Sequence, residues 1–366
     1  MARAGLEPEW RCRFANDFDL KKGATYRQNW GDRELLTEDV RKLSIENLPS
    51  ITPDLVWASF PCQDLSLAGA GAGLKGDRSG TFWPFWRLMD ALVRDARPPT
   101  IIALENVCGT LTSHGGKDFN AIVSAFSELG YSVGALVVDA QWFVPQSRPR
   151  LFFVGVRREH LNPDVASAGG SDLWHPAGLR RAHNRLDPDL QQSWIWWDLP
   201  SPDVRNQRLI DMVELFPSDV EWHSAAETER LLSMMSDLQL AKIRWAVETS
   251  SRIVGGLYRR TRRDENDQPI QRAEVRFDDV AGCLRTPAGG SSRQTLIIVE
   301  GGKVRSRLIS GRETARLMGL PDSYKLPERY NETYHLTGDG VVVHAVRHLS
   351  LHLLLPLLAR QRKIAA

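Results

Sequence analysis

Cysteine is scarce in this chain: four occur in 366 residues, at positions 12, 62, 108 and 283. They show no paired spacing, so neither a disulfide framework nor a cysteine-ligated zinc site is expected. So little cysteine points to a reducing compartment, and a cytoplasmic location is expected. Long hydrophobic runs are lacking too. No stretch approaches the roughly 20 apolar residues of a membrane span. The most apolar one, residues 349–358, contains His352 and Pro356. The N-terminal segment Met1-Ala2-Arg3-Ala4-Gly5-Leu6-Glu7 has no apolar centre of the kind a signal peptide carries. An excess of one charge is also missing, since 47 Lys+Arg against 45 Asp+Glu leave +2. Nucleic acid is not announced by that total, so any basic surface must be local. The nine histidines offer no His-x-x-x-His pair with a nearby acid, and no metal is expected.

What is present is an ordinary globular composition, 42% hydrophobic and 25% charged, on a chain long enough for two domains. The first 160 residues alternate strand and helix patterns. Strands are expected at residues 11–15, 55–60, 101–104, 131–139 and 150–156. Helices are expected at 20–30, 83–93 and 119–129. Such alternation predicts a doubly wound α/β domain with ligands beyond the carboxyl ends of its strands. Asp17, Cys62 and Glu105 each follow an expected strand and should share that edge. Beyond residue 158 the periodicity weakens. Residues 159–275 contain many turns and the cluster Trp194-Ile195-Trp196-Trp197, whose tryptophans are read as core of a second, less regular domain. A basic run, Arg259-Arg260-Thr261-Arg262-Arg263, and a glycine-rich loop ending at Arg293 follow. Order returns with a strand at 295–299, a helix at 311–318 and a last helix at 341–355, apolar enough to pack back on the first domain. No internal repeats are seen.

The block Ser59-Phe60-Pro61-Cys62-Gln63-Asp64-Leu65-Ser66 ends an apolar run and displays one thiol. A thiol in that position is usually there for its chemistry. Glu105-Asn106-Val107 supplies a carboxyl group, and Gln146-Ser147-Arg148-Pro149-Arg150 a pair of arginines. Such groups can converge on one planar heterocycle. The thiolate would attack an electron-poor ring carbon, the protonated carboxyl group would donate to a ring nitrogen, and an arginine would hold an exocyclic oxygen.

Pro61-Cys62-Gln63, Glu105-Asn106-Val107 and Gln146-x-Arg148-x-Arg150, in this order, resemble the C5-cytosine DNA methyltransferases. The resemblance continues through Arg312-Glu313, Arg316-Leu317-Met318-Gly319-Leu320-Pro321 and Gly338-Asp339-Gly340-Val341. It covers nearly the whole chain except residues 159–255. It implies a Rossmann-like methyltransferase sheet with S-adenosylmethionine as methyl donor and duplex DNA as partner. Cys62 would add to C6 of a flipped cytosine, and C5 would then take the methyl group. Glu105 would contact N3 and the amino group, Arg150 the base oxygen, and Arg148 would support the loop or the thiolate. The resemblance places Asp17 on the cofactor ribose and Asp39 beside its adenine, with Phe60, Pro61 and Asp339 also near the cofactor. Gln63, Ser66, Asn106, Gln146, Arg259, Arg260, Arg262 and Arg293 are the expected DNA contacts. The domains expected are 1–158 (catalytic), 159–300 (target recognition) and a returning segment, 301–366.

Two departures shape the expectation. The Phe-x-Gly-x-Gly turn that cradles the cofactor's methionine part in this family does not precede Asp17. Met1 is therefore read as an internal methionine of a longer reading frame. Asp339 also stands where many relatives have asparagine, close to the cofactor carboxylate or as a cap on the following helix. The alternatives are an inactive relative that only binds DNA, and a tRNA cytosine methyltransferase. The enzyme is expected to act as a monomer, alone or beside a restriction endonuclease that shares its site.

Overall fold

The apolar run Ile101-Ile102-Ala103-Leu104 is buried on both faces, as a central strand of an α/β sheet requires. It nucleates the architecture seen in a computed structural model. The structure describes residues 1–60, 81–249, 251–264, 266–286 and 293–364. The chain forms two compact units. One comprises Met1–Asp139, Pro149–Asp203 and Val341–Ala366; the other comprises Ala140–Arg148 and Val204–Gly340.

The first unit opens with helix α1 (Ala2–Leu6), strand β1 (Ala15–Asn16), helix α2 (Leu20–Trp30) and strand β2 (Leu35–Leu36). β1 and β2 form a parallel pair. α2 starts where Asp19 accepts hydrogen bonds from the Lys21 and Lys22 amides, and it stops at Gly31, whose φ is 82°. The asparate cap and the left-handed glycine are the expected start and stop devices. Then come β3 (Leu55–Ser59), α3 (Phe82–Arg94), β4 (Ile101–Val107), α4 (Lys117–Glu128), β5 (Tyr131–Asp139) and β6 (Pro149–Arg157). These strands make a four-stranded sheet in the order β3-β4-β6-β5. β3 and β4 are parallel, whereas β6 runs antiparallel to both neighbours. α3 turns Phe82, Trp86, Leu88, Met89 and Leu92 into the core, and α4 adds Phe119, Ile122, Val123 and Phe126. Each such side chain contributes about 1.5–3 kcal/mol of burial.

Residues 159–203 belong to this unit, which corrects the reading of the tryptophan cluster. The segment holds β7 (Ala166–Ser167), α5 (Ala177–His183), α6 (Pro188–Gln192) and β8 (Trp196–Trp197). Trp194 lies 5.8 Å from Phe119, and the Trp197 indole donates to the Val154 carbonyl at 3.1 Å. These rings are core of the first unit, not of the second. Gly134 on β5 permits the docking, because a Cβ there would lie 1.9 Å from the Ile195 carbonyl oxygen.

The second unit contains α7 (Leu209–Met212), α8 (Ala225–Ser233), α9 (Asp237–Glu248), β9 (Ile253–Arg263), β10 (Pro269–Arg276), β11 (Thr295–Glu300), β12 (Lys303–Leu308), α10 (Gly311–Leu317) and α11 (Tyr330–Asp339). Its sheet is antiparallel throughout, in the order β10-β9-β11-β12. α8, α9 and the turn between them cover one face through Leu231, Met235 and Ile243 against Leu257, Ala273, Val275 and Ile297. Arg307 and Glu313, both 0% exposed, are joined at 2.5 Å, and Glu313 also accepts from the amides of Ser310 and Glu214.

The chain then returns to the first unit as α12 (Val343–Leu349), a π-helical turn (Ser350–Leu354) and α13 (Leu355–Ile364). α1 packs on α12, with Gly5 against Val343 and Val346. Residues 330–359 are long and apolar enough to cross a membrane by length and composition alone, but 67% of the apolar 18-residue window within them is buried inside the protein, as in a core helix.

Candidate active site

β4 and β6 are neighbours, and their register sets Val107 opposite Arg150 and Glu105 opposite Phe152. Glu105 and Arg150 therefore lie diagonally on one face of the sheet. Their side chains meet at 3.2 Å, with only 8% and 15% exposure. Glu105 sits inside β4 rather than beyond its end, so the strand is longer than its apolar run. A buried carboxylate needs such a partner, because desolvation penalises an isolated charge.

Asn106 is 2% exposed. Its amide nitrogen donates to the Phe60 carbonyl at 3.3 Å, and its oxygen accepts from the Val107 amide at 2.8 Å. Expected at the substrate, it instead ties β4 to the residue before Pro61. Phe60 is buried against Phe82 at 5.4 Å. Its ring is core, and its carbonyl is the acceptor for Asn106. Pro61, Cys62, Gln63 and Ser66 lie outside the described residues. Cys108, two residues after Asn106, was not singled out by the sequence. Burial pushes its thiol up to about 11, opposed by Arg150 and reinforced by Asp139 and Glu105.

Asp17 directly follows β1 and accepts from the Asp19 amide at 2.9 Å. Asp39 follows β2 and caps the short turn Val40–Lys42 by accepting from Arg41. The parallel pairing of β1 and β2 puts both acids after the carboxyl ends of adjacent strands. Between Asp17 and Asp19, Phe18 is 69% exposed, an aromatic ring that pattern reading passed over as part of a turn.

In the second unit, Gln146 is 0% exposed and used at both ends. Its amide nitrogen donates to the Leu317 carbonyl at 2.8 Å, and its oxygen accepts from the Leu284 amide at 3.2 Å. It is thus a latch in this unit's core, where a DNA contact was expected. Arg148, 2% exposed, donates to the carbonyls of Leu284, Gly338 and Gly340 at 2.6, 2.7 and 2.6 Å. Its charge closes the carbonyl end of α11, a favourable place for a cation. It joins the segment at Leu284 to the turn that follows α11. Asp339 is the exposed last residue of α11; the next helix begins only at Val343, so Asp339 does not cap it. Arg293 donates to Asn331 at 2.6 Å and lies over the Tyr330 ring. Arg259, Arg260 and Arg262 are exposed on β9.

His344, His348 and His352 recur at four-residue spacing, a pattern the sequence reading passed over. The His348 and His352 rings are 4.5 Å apart, and the Pro200 carbonyl lies 3.1 Å from His348 Nε2. Among the described residues no three His, Cys, Asp or Glu side chains form a metal-binding group.

The model of the C-5 cytosine-specific DNA methylase family matches residues 1–354. The chain belongs to that family. This methyltransferase is 26% identical over 362 residues to the type II methyltransferase M.NgoFVII of Neisseria gonorrhoeae, covering 96% of this chain and 82% of the relative. It is 22% identical over 343 residues to M.HhaI of Haemophilus parahaemolyticus, covering 93% and 87%. The Entamoeba histolytica methyltransferase EhMeth shares the fold, with a TM-score of 0.60 at 11% identity over 99% of this chain and 95% of that one. Schizosaccharomyces pombe Dnmt2 gives 0.53 at 17% over 95% and 91%. The methyltransferase thus has the mixed α/β, Rossmann-like fold of its family and acts on DNA cytosine at C5. Its family uses S-adenosylmethionine as methyl donor. Asp17 and Asp39 at the ends of a parallel pair, with an exposed ring at Phe18, are a donor set suited to a ribose and a flat heterocycle.

Proposed function

We propose that this protein methylates C5 of a cytosine flipped out of a specific duplex DNA sequence, through a covalent bond from Cys62 to C6. The observation that carries the reading is the buried Glu105–Arg150 pair at 3.2 Å on adjacent strands. S-adenosylmethionine, when bound, supplies the methyl group as an electrophile; Asp17, Asp39 and Phe18 are the residues proposed to hold it, with Phe60, Pro61 and Asp339 nearby. Cys62, as thiolate, forms the S–C6 bond and pushes electron density to C5. Glu105, having taken up a proton as Arg150 moves from it to the base oxygen, donates that proton toward N3, so the ring accepts the electron density that Cys62 supplies. After methylation the C5 proton leaves to a base, the S–C6 bond breaks, and the Cys62 thiolate departs from 5-methylcytosine. C5 and C6 are inaccessible within a base stack, so the cytosine must be extruded.

In this reading the first unit is catalytic and the second recognises the target. Asn106 positions the chain that leads into Cys62, and Arg148 braces the second unit. Gln63, Ser66, Arg259, Arg260, Arg262 and Arg293 would meet DNA. Extending the type II designation of the relatives, the enzyme would act as a cytoplasmic monomer on sites shared with a cognate endonuclease. The test is transfer of labelled methyl groups to duplex DNA and to tRNA by the full chain. DNA labelling that disappears in Cys62→Ser is expected. Labelling that survives this substitution removes the mechanism, and labelling of tRNA alone removes the substrate.

A further inference from the structure

β9 outlasts its partner β11. β11 pairs with β9 only over residues 253–257, while β9 and β10 stay paired out to Arg263 and Pro269. Beyond Leu257 the second unit therefore presents a two-stranded ribbon. Residues directly opposite in an antiparallel pair share a face. One face carries Tyr258, Arg260 and Arg262 opposite Glu274, Arg272 and Ile270. The other carries Arg259, Thr261 and Arg263 opposite Ala273, Gln271 and Pro269.

The first face breaks a rule of sheet construction. Arg260 stands directly across from Arg272, and like charges in that position are destabilising. Arg262 lies on the same face, and among the described residues Glu274 is the acid that answers this group. Glu274 is bonded by Arg262 Nε at 2.8 Å and lies 3.4 Å from Arg260 Nε, while Arg260 leans over Tyr258. One carboxylate thus orients two guanidinium forks and leaves the face with excess positive charge. Among the described residues Glu274 offsets this conflict only in part, one carboxylate against Arg260, Arg262 and Arg272, which points to further compensation from a ligand, here an anionic one.

We infer that the β9–β10 ribbon enters the major groove of duplex DNA and reads two guanines with Arg260 and Arg262, held in register by Glu274. The inference rests on the proposed DNA substrate and deepens it to a reading element and bases. The groove of B-DNA, about 12 Å wide, admits a two-stranded ribbon, and a bidentate arginine on guanine is its commonest specific contact. Alternate residues on a strand are about 6.8 Å apart, roughly two base steps of 3.4 Å. The two guanines should therefore lie two steps apart. The deep, narrow major groove of A-form RNA does not admit side chains in this way. Arg259, on the other face, is suited to phosphate.

Selection of bound sequences from a randomised duplex pool by the full chain tests this, with folding of each variant checked by circular dichroism. Arg262→Ala and Arg260→Ala should each flatten the preference at one position by about 5- to 150-fold and leave the others intact. Glu274→Gln should lower discrimination at both positions without weakening total binding. Arg259→Ala should weaken all sequences alike and reduce the salt slope by about one. The inference falls if Arg260 and Arg262 variants keep the wild-type motif, as charges that merely protect an edge strand would. It also falls if they weaken all sequences equally. A wild-type chain that binds no duplex overturns the DNA reading itself, a result distinct from either.

Discussion

Glu105 is a carboxylate held in a nearly dry site by one arginine, and its chemistry is testable at that scale. Glu105→Gln keeps the shape but cannot deliver a proton, so methyl transfer to DNA should fall about 10²- to 10⁴-fold. Activity within twofold of wild type would remove Glu105 from the mechanism. Cys108 gives a second residue-scale prediction. Its thiol is pushed from 9.0 to about 11 by burial, so it stays protonated at pH 8. Alkylation followed by mass spectrometry should find it reacting about 100-fold more slowly than an ordinary thiol, since only the thiolate is nucleophilic. Fast labelling of Cys108 in the folded protein would contradict the burial. The sequence made Glu105 legible through its neighbours Asn106 and Val107. It did not reveal that Gln146 is a core latch, because a buried amide and a DNA-contacting amide have the same residue type.

At the scale of elements, α10 is tied to β12 by Arg307 and Glu313, both fully buried. Glu313→Ala leaves a buried, uncompensated arginine and should cost about 3–5 kcal/mol in urea unfolding. Replacing both partners together, as Arg307→Met with Glu313→Leu, should cost less than the single change. If the double variant is the less stable, the pair contributes more than mutual neutralisation. Gly134→Ala should also destabilise, by about 1–3 kcal/mol, because its Cβ would collide with the Ile195 carbonyl. Thermal unfolding checks this, and an unchanged Tm would mean that the 194–197 segment can shift. β5 and α2 were legible to the residue because Gly130 precedes the first, and Asp19 and Gly31 bracket the second. α9 and α11 were not, since their apolar residues do not form a clean stripe.

Across the whole molecule, the chain leaves the first unit and re-enters it. Two histidines, His175 buried and His348 half-buried, report on that unit's integrity. Burial lowers His175 and His348 to about 4. A group depressed in the folded state adds stability above its unfolded value near 6.5 and loses that contribution as pH falls toward 4. Tm should therefore decline across pH 6.5 to 4, and the decline should shrink in His175→Gln. An identical decline in that variant would assign acid lability to other groups.

The sequence alone determined the alternating α/β pattern, the displayed thiol motif and the family blocks, because these depend on local period and on residue type at short spacing. Only the tertiary structure decided where the units divide. Residues 159–203 carry no period that names their partner. They join the first unit because Gly134 opens β5 to Ile195, and because Trp194 and Trp197 find their contacts at Phe119 and Val154. The register of β4 against β6 likewise brought Glu105 to Arg150. Pairing across the 44 positions between Glu105 and Arg150 is set by packing, and no local propensity records it.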